Sequence, residues 1–377
     1  MSTRPLRVAH LMQYFLIGGL ERMVERLSLE ARSRGVESLV IGYLEDGPVR
    51  EALEEQGVRT LMLDSGPGLR PELVWRLRSA LVREQIDVLH SHHLGPFLYG
   101  APAARLAGCG HVHTEHSHEF YDTRRRRVLG ALMSPLAKVV AVTPEVAEYR
   151  KRFPGSCQVI PNGVPLPSRG LASRERGRAW LDAKPEDFVI GCAARLAAEK
   201  NHAGLLEAFA QVLESEPRAL LACAGDGPLR EALRAQAERA GLNHRVRWLG
   251  AIDDMEPFYS ALDACVLNSV REGLPLCLLE AMSFGIPVVA TEVGGVGELL
   301  AGGAGRLVPP QSAQALAGAL QSLASQAEPA KRTGQTGKTR IRQSYSIDRM
   351  VDRYVALYRE VAKRPLPSTE LESTSCA

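Results

Sequence analysis

Much that would settle a function at once is missing from this sequence. Its 377 residues carry seven cysteines, at 109, 157, 192, 223, 265, 277 and 376, with no C-x-x-C pair. That excludes the usual zinc-ribbon and dithiol redox motifs. Several of these cysteines lie in apolar runs, as buried thiols of a reducing compartment do. A formal net charge of +3 is too small to argue for nucleic acid. No apolar stretch reaches membrane-spanning length, and the start, "MSTRPLRVAHLMQYF", has no secretory apolar core. A cytoplasmic location is expected. There is no G-x-G-x-x-G dinucleotide fingerprint, no Asp-x-Asp metal motif, no nucleophile elbow and no solenoid repeat.

What the chain has is alternation. Charged residues make up 24% and the hydrophobic set 45%, the balance of a soluble globular protein with ample core. Short apolar runs, "RVAHLM", "VESLVIG", "IDVLH", "HVHTEH", "KVVAVT" and "QVIPN", alternate with amphipathic stretches such as Gly19 to Arg34. After a polar, Pro-containing segment from Pro165 to Arg178 the pattern restarts. It then runs "FVIGCAA", "ALLACAG", "RVRWLG", "DACVLN", "IPVVAT", "GRLVPP", with a helix expected over His202 to Leu213. Such a pattern predicts an α/β protein with two doubly wound Rossmann-like domains facing across a cleft. The expected bounds are 1–165 and 166–345. A last helix over 346–363 is expected to pack back on the first domain, and a disordered tail to occupy 364–377.

The densest signal is "REGLPLCLLEAMSFGIPVVATEVGGVGELL", Arg271 to Leu300. It reads as loop, helix, strand, loop, helix. Proline suits a first helical position, so Gly273 and Pro275 are expected to open the helix and Gly285 with Pro287 to stop it. Glu272 then stands just before a helix N-terminus and Glu280 inside the body. Because that N-terminus favours an anion, acids beside it either cap the helix or bind neutral hydroxyls of the same ligand. Earlier, "AARLAAEKN" supplies Arg195 and Lys200, two cations on one post-strand loop that suit a diphosphate. "GGLERMVERL" places Gly18 and Gly19 at a helix start, where backbone approaches a ligand closely. Asp226 of "AGDGPLR" is expected to be a helix cap. Asp253 and Asp254 are expected either to cap "MEPFYSAL" or to touch a base.

Taken in order, Gly18-Gly19, "PNGV", "RLAAEKN", "GDGP", "WLG" and "EGLPLCLLEAMSFGIPVVATEVGG" resemble the family-four retaining glycosyltransferases of the GT-B fold. The similarity runs from about Arg7 to Val361 and is most specific in the second half. It implies donor-sugar contacts from Glu272, ribose contacts from Glu280, and diphosphate binding by Arg195 and Lys200. Backbone from Gly273, Leu274, Pro275 and Leu276 is implied beside the diphosphate, with Gly18 and Gly19 closing onto it. His116, after the "HVHTEH" strand, is the residue implied against the donor sugar, with His113 and His118 as alternatives. His92, His93, His118, Arg124 and Arg125 are candidates on the acceptor side.

The expected partners are therefore a nucleotide sugar and a saccharide or polyprenyl-linked acceptor. No cofactor and no metal is expected. A zinc reading of His92, His93, His116 and His118 lacks cysteine ligands nearby. "RRRR", Arg124 to Arg127, is either a solvated face or a contact for an anionic acceptor or the inner membrane. Two other readings remain: a nucleotide-sugar epimerase on the same fold, and a catalytically silent nucleotide-sugar-binding subunit of a polysaccharide assembly complex.

Overall fold

The computed structural model describes residues 4–66, 68–117, 121–167 and 171–362. Two compact units divide them. The first comprises residues up to Val142, Val146–Ile160 and the chain from Val351, and the second Thr143–Glu145 with Pro161–Met350.

In the first unit seven parallel strands are ordered β3-β2-β1-β4-β5-β6-β7. They are β1 (Leu6–Leu11), β2 (Val36–Gly42), β3 (Arg59–Met62), β4 (Val88–His92), β5 (Gly110–Glu115), β6 (Lys138–Ala141) and β7 (Cys157–Val159). The second has six, ordered β10-β9-β8-β11-β12-β13. These are β8 (Phe188–Ala193), β9 (Ala219–Ala224), β10 (Val246–Gly250), β11 (Ala264–Leu267), β12 (Val288–Thr291) and β13 (Arg306–Val308). Central strands are buried on both faces, which is why β9 reads "ALLACA" without alternation. Helices add one apolar stripe each. Leu205, Leu206, Phe209 and Val212 of the His202–Ser215 helix join the strands in one core, spaced as a helix face requires. In both sheets the strand order reverses beside the first strand of the unit, at β1/β4 and β8/β11. Loops leaving that point are where ligands bind in such folds.

Two elements escape the sequence reading and one expectation needs correction. β3 carries no strand signal in the reading above, because it is a four-residue edge strand whose side chains are half-exposed. The polar segment from Pro165 to Arg178 runs into a helix that spans Leu171–Trp180. Arg174 and Arg178 of that helix grip Asp263, each at 2.5 Å. Pro275 is not the first helical residue. Its ψ of 118° is extended, so it stands as the N-cap of a helix over Leu276–Ser283.

The last helix spans Ile347–Val361, and from Val351 on it belongs to the first unit. Tyr354 and Tyr358, one turn apart and buried, bond to Thr114 (2.9 Å) and His90 (2.7 Å). The tail beyond it, like His118 and Cys376, lies outside the described residues.

Candidate active site

In the second unit the loops after β8, β9 and β10 are stacked on one another by backbone bonds. Leu196 N–H donates to Asp226 O at 3.0 Å and Gly225 N–H to Gly250 O at 2.7 Å. Gly225 has a φ of +133°, and a Cβ there would collide with Ala194 O, so "GDG" is a packing requirement of the "AARL" loop. Asp226 accepts from Gly227 N–H at 2.7 Å and pairs with Arg230 at 2.6 Å. It is a turn-former, as is Asp254, which accepts from Glu256 N–H at 3.0 Å.

The β8 loop delivers Arg195 to the surface, where it pairs with Glu199 at 2.6 Å. Lys200 follows in a short 3₁₀ turn that ends at Asn201 in the left-handed region. Its ammonium meets Glu272 Oε1 at 2.5 Å, across 72 residues. Ser269 Oγ donates to the same oxygen at 2.6 Å. Burial pulls the Lys200 pKa down, but the Glu272 charge and hydrogen bond outweigh it and hold the ammonium above its ordinary value. The loops after the adjacent strands β8 and β11 are thus tied at the switch point by one ion pair.

Four residues past Glu272 the Leu276–Ser283 helix begins, with no side chain capping it. Its first N–H groups are left for water or an anion. The Glu272–Gly273 turn is backed by the "EVGG" loop, where Gly295 N–H donates to Gly273 O at 3.0 Å. Gly294 has a φ of +51°, and a Cβ would strike Glu272 O. Asn162 of "PNGV" is buried and reaches Leu274 O at 3.5 Å. Inside the helix Glu280 accepts from the buried Tyr259 hydroxyl at 2.7 Å. Burial, then the Glu280 charge, keeps that phenol protonated. Ser269 and Tyr259 had no place in the sequence reading. Ser269 sits three residues before Glu272, the one local hint; Tyr259 is 21 residues from its partner.

In the first unit Gly18 is the extended N-cap of the Gly19–Glu30 helix, again with no side-chain cap. Glu21 in that first turn is a missed residue with unusual chemistry. Burial raises its pKa from 4.5 to about 7, partly opposed by a hydrogen bond from its own backbone N–H. The folded state therefore holds this proton through a range where the unfolded chain has lost it. The associated stability is present below the unfolded value and is lost as pH rises toward 7. Glu21→Gln should remove that decline. Between about pH 5 and pH 8 wild type should lose ~2 kcal/mol more than the variant, read by denaturant unfolding at both pH values.

His116 stands directly after β5, partly buried, with Nε2 at 3.4 Å from His92 Nδ1. Burial, then neighbouring His93 and His113, push its pKa well below 6.5, so it is a neutral imidazole. His113 stacks on Phe97 at 3.8 Å and bonds Ser91 Oγ at 3.0 Å, committed to the interior. His92 is fully buried, a neighbour of His116 rather than an open contact surface. His93 caps the Leu94–Ala107 helix with a φ of +68°, a strained backbone for a non-glycine residue. Arg124 and Arg125 are exposed in the first turn of the Arg124–Met133 helix, capped by Thr123.

Two family models match this chain: Glycosyltransferase Family 4 over residues 17–167, and Glycosyl transferases group 1 over 173–340. The chain belongs to the group 1 glycosyltransferases, with the GT-B fold. The Escherichia coli UDP-Gal:alpha-D-GlcNAc-diphosphoundecaprenol alpha-1,3-galactosyltransferase is 27% identical over 77% of this chain and 80% of its own. The Vi polysaccharide biosynthesis protein VipC/TviE of Salmonella typhi is 26% identical over 74% of this chain, which spans 58% of its length. Among solved structures, Anabaena HepE in complex with UDP and glucose matches 94% of this glycosyltransferase and all of its own chain. The TM-score is 0.83 at 22% identity, a likeness of fold.

Proposed function

We propose that this glycosyltransferase moves a hexose, with retention, from a nucleoside-diphosphate sugar to a hydroxyl of a saccharide or polyprenyl-linked saccharide. The product would be a bacterial exopolysaccharide, lipopolysaccharide or other envelope glycan. The observation that carries the reading is the Lys200–Glu272–Ser269 constellation beside an uncapped helix N-terminus. A cation and backbone N–H groups there favour a diphosphate, and Glu272 keeps one carboxylate oxygen, Oε2, for neutral sugar hydroxyls. In the reaction the anomeric C–O bond to the diphosphate breaks and the acceptor oxygen bonds the same face. The acceptor proton leaves on the departing diphosphate. Lys200, Arg195 and the helix N-terminus stabilise that leaving charge electrostatically, without a metal. Glu280, fixed by Tyr259, holds the ribose, and His116 contacts the transferred sugar. The acceptor class is supported by the diphosphoundecaprenol substrate in the name of the E. coli relative.

The glutamates give the test. Glu280→Gln should weaken binding of free nucleoside diphosphate, because ribose is common to donor and by-product. Glu272→Gln should spare that binding and lower transfer. Calorimetry and a donor panel with product masses read both, and equal loss of diphosphate affinity in the two variants would refute the division. An epimerase would convert the donor with no acceptor present, and a silent subunit would bind it without turnover.

Membrane contact is part of the same reading. Four exposed arginines, 124 to 127, occupy the helix end where the dipole disfavours cations. Val128 and Leu132 beside them are 51% and 62% exposed. Such a surface suits an anionic bilayer. No helix among the described residues is long and apolar enough to cross one. Arg124→Glu with Arg125→Glu should reduce sedimentation with anionic vesicles while leaving transfer to a water-soluble acceptor intact.

A further inference from the structure

The central strands of the first unit carry histidines where a parallel sheet ordinarily packs Val and Ile. His10 of β1 lies directly across from His90 of β4. His92 follows two residues on, so it shares that face of the sheet. The three rings bring one nitrogen each within 4.8 Å of one another, and all three side chains are fully buried. Among the described residues, both ring nitrogens of His10 and Nε2 of His92 have no hydrogen-bond partner. A neutral imidazole carries one N–H and one lone pair. His10 therefore leaves two polar groups unsatisfied in the interior and His92 one, at about 1–3 kcal/mol apiece. Aliphatic residues would carry no such cost, and buried orphans of this kind point to an occupant.

We propose that His10, His90 and His92 bind a late first-row transition-metal ion inside the first unit, and that this ion orients His116 through His92. Imidazole is a suitable ligand for zinc, iron, nickel and copper. Binding requires neutral rings, which burial supplies here. Zinc–nitrogen bonds of about 2.0–2.1 Å in a tetrahedron need nitrogens roughly 3.4 Å apart, so the rings draw inward by side-chain rotation. The fourth position takes water or hydroxide, and hydroxide offsets part of the ion's charge in a cluster that contains no carboxylate.

The outer partners suit such a site. His90 bonds Tyr358 at one nitrogen and Thr114 at the other, both at 2.7 Å. It exchanges one hydroxyl for the ion and keeps the other as the acceptor that fixes its ring. Metal on His92 Nε2 puts the remaining proton on Nδ1, which faces His116 Nε2 at 3.4 Å. His116 Nε2 then accepts, and its own proton is held at Nδ1. The inference extends the proposed role of His116, but ion binding is read with no donor or acceptor present, so the two can fail separately.

Chelator-treated full-length protein is titrated with Co²⁺ and Zn²⁺. The expected result is one ion per chain, Co²⁺ ligand-field bands without a thiolate charge-transfer band, and a higher unfolding temperature. His10→Gln and His92→Gln should each weaken binding at least about tenfold. His244→Gln, an exposed ring of the second unit, should leave it unchanged. Wild type that takes up no ion overturns the proposal, and that measurement needs no variant to fold. So does a thiolate band, or affinity that survives both substitutions.

Discussion

Lys200→Ala should weaken nucleoside-diphosphate binding by about 1.5–3 kcal/mol, the worth of a charge-assisted hydrogen bond. It should also destabilise the second unit, for a reason visible only in the fold. Glu272 is 9% exposed and would lose its cation, keeping Ser269 as its one side-chain donor among the described residues. Removing one partner of a buried pair costs about 3–5 kcal/mol, reduced here because Lys200 is itself 22% exposed. The two effects separate in a double-mutant cycle. Adding Glu272→Gln to Lys200→Ala should recover much of the stability, since the orphaned charge is gone, and recover none of the affinity. Calorimetry with nucleoside diphosphate and denaturant unfolding on all four proteins read the cycle. Arg195→Ala should do less in both assays, because its side chain is 66% exposed and already shared with Glu199. Unchanged diphosphate affinity in Lys200→Ala would remove this loop from the donor site.

The contrast between these two cations shows what was legible and why. Both were readable as post-strand charges, because a strand buried on both faces is an unbroken apolar run and its end is easy to see. "FVIGCAA" and "DACVLN" gave away β8 and β11 in that way. That Lys200 and Glu272 meet was not readable, because the meeting depends on β8 and β11 being neighbours, which is a property of sheet order. The same holds for the Leu171–Trp180 helix. Its sequence is polar, and it is anchored by Asp263, 85 residues on from Arg178. Pro275 failed differently. Its fixed φ fits both a first helical residue and an extended cap, and the surrounding turn selects the second. His10 and His90 come together only through the β1–β4 register, so single-strand reading of "RVAHLM" and "IDVLH" could place each on a strand but not side by side.

The histidines of "HVHTEHSH" are where the structure sharpens an expectation most. Three candidates stood together in sequence, and their environments differ. His118 lies outside the described residues. His113 is held between Phe97 and Ser91 with no surface, so His113→Ala should chiefly cost stability through a cavity and through the buried Glu115 losing its contact with the ring at 3.4 Å. His116 stands directly after β5 and is partly open, with a long polar contact to His92 at 3.4 Å and its ring 5.1 Å from that of His93. His116→Ala should therefore leave folding and nucleoside-diphosphate affinity close to wild type while lowering turnover at least about tenfold, ~1.4 kcal/mol. A group that touches only the reacting sugar contributes in the transition state and not to by-product binding. Because burial already keeps the ring neutral well below pH 6.5, its loss should reduce turnover by a similar factor across the neutral range. Turnover within a factor of about two of wild type is too small an energy for sugar contact. Such a result would assign the ring to the histidine packing of the first unit.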